Sequence, residues 1–492
     1  MDGLLDARAV DQLRRALADY TVDGLHELLG LDGQLALARG DLAGVRRRLR
    51  LERSAIADLA RLFLLGDATP ESSAARALAP LPLGVALAAG LVLKSGPDIR
   101  AGFDLRPYSQ AQGPSWWLIS DFGSDVRPGP LRVDHVLGVG LASLTLAQAT
   151  VRRPIETALD VGTGCGIQAL HLSTHAARVT ATDISSRALR MARTCADLND
   201  LDWDLREGSL LDPVSDEQFD LIVANPPFVI SPGGVQYDYR DGVWAGDELC
   251  RRLVRALPAR LRPGGMAQLL ANWEIRDAQA WAERVEDWLD GSGCRAWIWQ
   301  REIVDVGTYV RMWLNDAGET PGSPGWTARY DAWLDWFERE GVAAVGMGSI
   351  SIQASPGPVV AEDVRQEIEQ PCGPMISSWF ERQSWLLARS DEQILASRLR
   401  LADDVDLVTE SVVTAAGWKP EALRFRQNRG LRWEISTDLP ISGLIAALDG
   451  SVELETAVRV LASAYELPVD ECGRAAVVIV RDLVMRGIVL PV

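Results

Sequence analysis

From Thr157 onward the apolar positions switch repeatedly between two periods. Short apolar runs at Thr157 to Val161, Arg178 to Asp183, Trp203 to Glu207, Phe219 to Ala224, Met266 to Trp273, Cys294 to Arg301 and Thr308 to Leu314 read as strands. Between them the apolar residues fall three and four apart. In the clearest case Ala188, Met191, Ala192 and Cys195 make one buried face, with Ser185 or Ser186 placed to cap the helix. Strand and helix in alternation are the mark of a parallel sheet with right-handed crossovers. The expectation is an α/β, Rossmann-like, doubly wound sheet of seven strands.

The flanks have a different texture. Residues 1 to about 100 read as helical, with Leu42, Val45 and Leu49 on one stripe. Short alternation with Gly and Pro from Ile99 to Phe122, including Trp116 and Trp117, suggests a small strand-rich connector, and His135 to Ala149 returns to helix. A Gly, Pro and Ser-rich stretch, Ala317 to Gly325, reads as a linker. Near the end come a helix at Ile441 to Leu448, a turn at Asp449 and Gly450, helices at Leu454 to Ala464 and Asp470 to Arg486, Gly487 as a C-cap and a strand at Ile488 to Val492. That succession suggests a winged-helix-like module. At 492 residues the chain exceeds what one core organises. The division expected is a helical domain at 1–100, a connector at 101–150, the α/β core at 151–316, and a mainly helical domain at 326–492.

Composition narrows the function classes. With 47% hydrophobic and 24% charged residues the chain is globular, and its most apolar stretch, Leu81 to Leu93, is too short to cross a membrane. Acid near Met1, where a signal peptide carries Lys or Arg, points to the cytoplasm. Cys165, Cys195, Cys250, Cys294, Cys372 and Cys472 lie far apart, as buried free thiols do. The net charge of −18 is uneven: residues 201–250 hold 11 acids against two arginines. Such a surface repels a phosphate backbone and weighs against DNA or long RNA as the substrate.

The chemistry concentrates in three places. Asp160-Val161-Gly162-Thr163-Gly164-Cys165-Gly166 closes the first strand, and its glycines permit a tight turn and close approach of a ligand to the backbone. Asp183 ends the second strand, where an acid accepts hydrogen bonds from both hydroxyls of a ribose. Glycines plus acid alone leave NAD in competition. The fourth strand decides between them, because it ends in Ala224-Asn225-Pro226-Pro227-Phe228.

This array resembles the class I S-adenosylmethionine-dependent methyltransferases of the branch with an Asn-Pro-Pro-aromatic motif. The physical logic of that motif is direct. A planar amide or amino nitrogen is a weak nucleophile because its lone pair is delocalised. Two carbonyl acceptors, the side chain of Asn225 and the backbone of Pro226, bind its N–H bonds and favour the pyramidal transition state, while Pro227 stiffens the loop and Phe228 offers a stacking face. The resemblance further implies that Asp160, Gly162, Gly164 and Gly166 contact the methionine part of S-adenosylmethionine, Asp183 the ribose, and Ser209 with Leu210 the adenine. Related proteins often show Gly-Asp where this sequence has Gly208-Ser209.

Two groups share the motif. Protein-glutamine methyltransferases acting on release factors resemble the Asp183-Ile184-Ser185 run, Asn199 and the Gly208 to Asp212 segment. Ribosomal-RNA guanine and adenine N-methyltransferases often carry the Asn-Pro-Pro-Phe form. The acidic surround ranks a protein amide first, an RNA base second and a silent cofactor-binding scaffold third; the partner expected is a protein or RNA substrate, with translation as the candidate setting.

Other features read more plainly. His171 and His175 have helical metal-ligand spacing but no acid or cysteine cluster to complete a site, so solvated helix positions are expected. Asp134 and His135 precede a small-residue helix, Gly138 to Ala142, that either covers the cofactor or is structural. Lys419, Arg424, Arg426, Arg429 and Arg432, interleaved with Phe425 and Trp433, make a basic cluster that either grips RNA or pairs with acids.

Overall fold

The computed structural model describes residues 2–110, 113–129, 131–233 and 244–492. The chain divides into two compact units, Met1–Ala147 with Arg153–Asp363, and Gln148–Arg152 with Val364–Val492.

The first unit is built on an eight-stranded sheet. Its strands are β1 (Ile155–Val161), β2 (Ala176–Asp183), β3 (Trp203–Glu207), β4 (Phe219–Ala224), β5 (Leu261–Ile275), β6 (Arg295–Asp305), β7 (Ala344–Gln353) and β8 (Val359–Asp363). They lie in the order β8-β6-β7-β5-β4-β1-β2-β3. Strands β3, β2, β1, β4 and β5 are parallel, β7 runs antiparallel between β5 and β6, and β8 adds a parallel edge. Seven strands in a doubly wound Rossmann-like order, plus one, make the sheet. Leu159, Ile222, Ala267, Trp273 and Ile298 are among the fully buried residues of its core.

Two differences from the sequence reading share a cause. Thr308 to Leu314 is a helix, Val306–Asp316, because Asp305 caps it by accepting from Thr308 N (2.9 Å) and Tyr309, Val310 and Leu314 recur at helical spacing on its buried side. The seventh strand lies beyond the linker, in the small-residue run Ala344–Gln353. There a Cβ on Gly346 would sit 2.1 Å from the Trp273 indole nitrogen, and one on Gly348 would sit 1.8 Å from the Trp299 carbonyl oxygen. The Trp273 ring and the backbone of the neighbouring strand require a bare backbone at those places. The sheet unit therefore runs to Asp363 rather than ending at 316.

The N-terminal helices do not stand apart either. Leu4 N donates to Thr194 Oγ1 (2.8 Å) and Arg14 Nη2 to the Asp197 carbonyl (2.6 Å), both on helix Ser186–Leu198. On the same helix Cys195 accepts from Ile119 N, and Asn199 at its end accepts from Trp117 N (2.9 Å) and donates to the Trp117 carbonyl (2.8 Å). That helix is capped by Ser185, and Ala188, Met191, Ala192 and Cys195 are buried as its periodicity requires. Of His135 to Ala149 only Leu141–Ala149 is helical; the preceding residues, with Gly138 and Gly140, form an irregular loop.

The second unit packs helices Gly373–Leu387, Leu439–Ala446, Leu454–Ala464 and Val469–Arg486 around a core containing Phe425, Leu444, Val480 and Ile488. Gly487 ends the last helix at φ +77°. Two small sheets accompany them: Asp449–Glu453, Arg398–Leu401 and Val489–Pro491 in that order, and the long hairpin Val405–Thr414 with Gly417–Gln427, flanked by Glu434–Thr437. The hairpin carries Lys419, Arg424 and Arg426 of the basic cluster. Arg424 pairs with Glu410 (2.5 Å) and Glu434 (3.5 Å), and Arg432 with Glu367 (2.7 Å), so these guanidiniums face acids of the same unit.

Candidate active site

Strand β1 sits between β2 and β4 in parallel register, with Val161 opposite both Thr182 and Ala224. The loops leaving the carboxyl ends of these three strands therefore start side by side, at the point where the strand order reverses and a doubly wound sheet opens a crevice. A cleft of about 230 Å³ lies there.

Gly162 and Gly164 line the cleft at φ +71° and +56°, and a Cβ on either would meet nothing within 4 Å. Both Gly162 N and Thr163 N donate to the Thr182 carbonyl at 2.9 Å, which pins the turn to β2. Asp183 accepts Gly164 N on one oxygen and Ser185 N on the other, each at 2.8 Å. Its carboxylate lines the cleft. Ser209 and Leu210 line the cleft as well; Leu210 takes φ +47° while its carbonyl accepts from Thr182 Oγ1 (3.1 Å).

Asp160 and Gly166 lie beneath the turn rather than in the cleft wall. Asp160 is 1% exposed, and one of its oxygens accepts from Thr163 Oγ1 (2.6 Å) and Ala169 N (3.1 Å). Burial pushes its carboxyl up to about 7, against the downward pull of those hydrogen bonds. A Cβ on Gly166, at φ +91°, would stand 2.6 Å from the Trp203 ring. These two residues shape the turn from below, and neither lines the cleft.

In the Asn-Pro-Pro-Phe loop, Asn225 and Pro227 line the cleft and Pro226 is buried behind them. The Asn225 Oδ1 atom is shielded from solvent and has no hydrogen-bond partner among the described residues. Phe228 turns away, edge-on to Trp313 with ring centres 6.1 Å apart. The next residues are tied down by Tyr309, whose hydroxyl accepts from Ile230 N and from Asn272 Nδ2, both at 2.9 Å. The helix that periodicity suggested was a strand is thus the support of this loop.

Sequence reasoning missed one part of the wall and named another. Trp244 lines the cleft, and no motif marks it. The loop from Asp134 to Gly138 covers one side, held by a bidentate pair in which Arg187 donates to both oxygens of Asp121 (2.5 and 2.6 Å) and also to the Asp134 carbonyl (3.0 Å). His135 in that loop is buried, which lowers its pKa despite Asp121 at 3.7 Å. Asp134 bonds Arg132 and stays structural. His171 is buried rather than solvated: Tyr108 Oη lies 2.9 Å from Nε2 and Gln110 Nε2 2.5 Å from Nδ1. No group of three His, Cys, Asp or Glu among the described residues could hold a metal, and no helix among them is long and apolar enough to cross a membrane.

A glycine turn, an acid and an Asn-Pro-Pro loop thus meet at adjacent strand ends of a Rossmann-like sheet. Residues 138–288 match the methyltransferase small domain family. Residues 17–102 and 377–491 match two families each described as a domain of unknown function (DUF7059 and DUF7782). Among similar proteins, the release factor glutamine methyltransferase of Deinococcus radiodurans is 38% identical over 156 residues, 30% of this chain and 52% of that protein. A ribosomal protein uL3 glutamine methyltransferase of Bradyrhizobium diazoefficiens is 32% identical over 35% of this chain and 53% of its own length. The ribosomal RNA small subunit methyltransferase C of Alcanivorax borkumensis is 30% identical over 27% of this chain and 34% of its own. The chain thus spans about half the length of the first of these relatives.

Proposed function

We propose that the protein transfers the methyl group of S-adenosylmethionine to a planar nitrogen, with a protein glutamine side chain in translation as the acceptor. The observation that carries this reading is the buried, unpartnered Oδ1 of Asn225 at the cleft. Leaving such an acceptor unpaired costs roughly 1–3 kcal/mol, and an N–H of the target nitrogen relieves that cost.

When bound, the cofactor supplies a methyl carbon made electrophilic by its sulfonium. The residues of the chain do the positioning. Gly162 and Gly164 admit the methionine part close to the backbone, Asp183 takes the ribose hydroxyls, and Ser209 with Leu210 meets the adenine. Asp160 and Gly166 keep the turn in shape from below. Asn225 Oδ1 accepts one N–H of the acceptor and the Pro226 carbonyl the other, which pulls the nitrogen towards a pyramidal geometry and aims its lone pair. The nitrogen gains the methyl and gives up one proton, and no strong base is required beside it.

The acidic surface and the glutamine-directed relatives favour a protein acceptor. A ribosomal-RNA base is the second reading, favoured by Phe228 in the motif and by the rRNA-directed relative. Tritiated-methyl transfer into a cell extract, followed by protease or ribonuclease, tests both. Label released by protease supports the amide, label released by ribonuclease supports the base, and no label at all would leave a cofactor-binding scaffold.

A further inference from the structure

In the Asn-Pro-Pro-aromatic logic the fourth residue stacks on the acceptor, yet Phe228 is engaged with Trp313 and does not line the cleft. Trp244 does line it, together with Asn225 and Pro227. We propose that Trp244 is the surface on which the flat acceptor group lies while Asn225 holds its nitrogen; this rests on the proposed function and assigns the specificity-determining contact of that site.

Three observations support it. First, the Arg252 guanidinium lies 4.9 Å from the centre of the Trp244 ring and pairs with Glu248 at 2.6 Å, so a cation already faces one side of the indole. Second, the residues that follow are anchored. Gly246 N donates to the Ser231 carbonyl (3.0 Å), and Asp247, 5% exposed, accepts from Glu274 N (3.1 Å) and from two nitrogens of Arg284 (2.7 and 2.8 Å). Third, Gly246 sits at φ +66° where a Cβ would stand 2.3 Å from Glu274 Oε1, so this anchored turn admits no other residue without a shift. An aromatic ring presented from so fixed a turn is prepared to receive a planar group without ordering itself first.

The full-length chain, tritiated S-adenosylmethionine and two acceptors, a glutamine-containing peptide and a single-stranded RNA containing guanine and adenine, provide the test. With whichever acceptor takes label, Trp244→Ala should raise KM by roughly ten-fold, with kcat changed far less and cofactor affinity by calorimetry unchanged, and Trp244→Phe should restore most of the KM. An unaltered KM in Trp244→Ala, with normal cofactor binding, overturns the assignment and leaves the proposed function standing. If the wild-type chain binds the cofactor but methylates neither acceptor, the proposed function falls and this inference with it.

Discussion

Asn225→Ala sets stability against activity. The side chain follows β4 with a carbonyl oxygen that is desolvated and unpaired among the described residues. Deleting that acceptor removes a penalty of roughly 1–3 kcal/mol, while the lost apolar contacts of a half-buried side chain cost about 1 kcal/mol. The variant should therefore be as stable as the wild type or more so, by up to about 2 kcal/mol. Turnover should move the other way, falling by roughly 100-fold or more, as when one preorganised contact to a developing transition state is removed. Urea unfolding gives the first quantity, initial rates of tritiated-methyl transfer the second, and calorimetry with S-adenosylmethionine should show affinity unchanged. A variant that unfolds more easily and loses its rate in proportion to cofactor affinity would make Asn225 a scaffold residue and refute the reasoning.

Asp183→Ala should weaken S-adenosylmethionine binding by ~1–3 kcal/mol through the two ribose hydroxyls it leaves unpaired; equal calorimetric affinity removes the ribose assignment. Asp160 gives a pH signature. Its folded carboxyl, at about 7, holds a proton that the unfolded chain releases near 4. Stability contributed by this group is therefore lost as pH rises through that window, by about 4 kcal/mol in all. Asp160→Asn should flatten the fall in urea midpoint between pH 5 and pH 8, and parallel profiles for the two proteins would contradict the burial argument. Tyr309→Phe strips the shared acceptor from Ile230 N and Asn272, two buried donors, at roughly 1–3 kcal/mol each. It should lower both the unfolding midpoint and kcat, and a variant indistinguishable from wild type would detach helix Val306–Asp316 from the motif loop.

The parts of the site that were legible in the sequence are those written in local chemistry. Gly162 and Gly164 announce themselves because glycine holds a positive φ most readily, and Asp183 and Asn225 because they close or follow an apolar strand of clear period. Four strands, Thr157 to Val161 through Phe219 to Ala224, are within two residues of their observed bounds at every end. What failed depended on distant partners. Ala344–Gln353 is a central strand whose glycines lie against the Trp273 ring and the Trp299 backbone, and a Gly-rich run gives no hint of that. The β-branched and aromatic residues of Thr308 to Leu314 suit a strand by propensity, and burial against the motif loop outweighs it. Asp160 and Gly166 belong to the glycine motif by position, yet packing against Ala169 and Trp203 puts them under the turn. Trp244 has no local signature, since its place in the wall is set by the anchoring of Asp247 on Arg284.

The joining of Leu4, Arg14, Trp117 and Ile119 to the outer helix Ser186–Leu198 bears on any attempt to shorten the chain. A fragment starting at residue 138, where the family match begins, would strip that helix of its cover and cut Arg187 off from Asp121, the clamp on the loop beside the cleft. The first 137 residues are better regarded as masonry of the catalytic house than as an annex to it, and a smaller working enzyme would need a replacement wall.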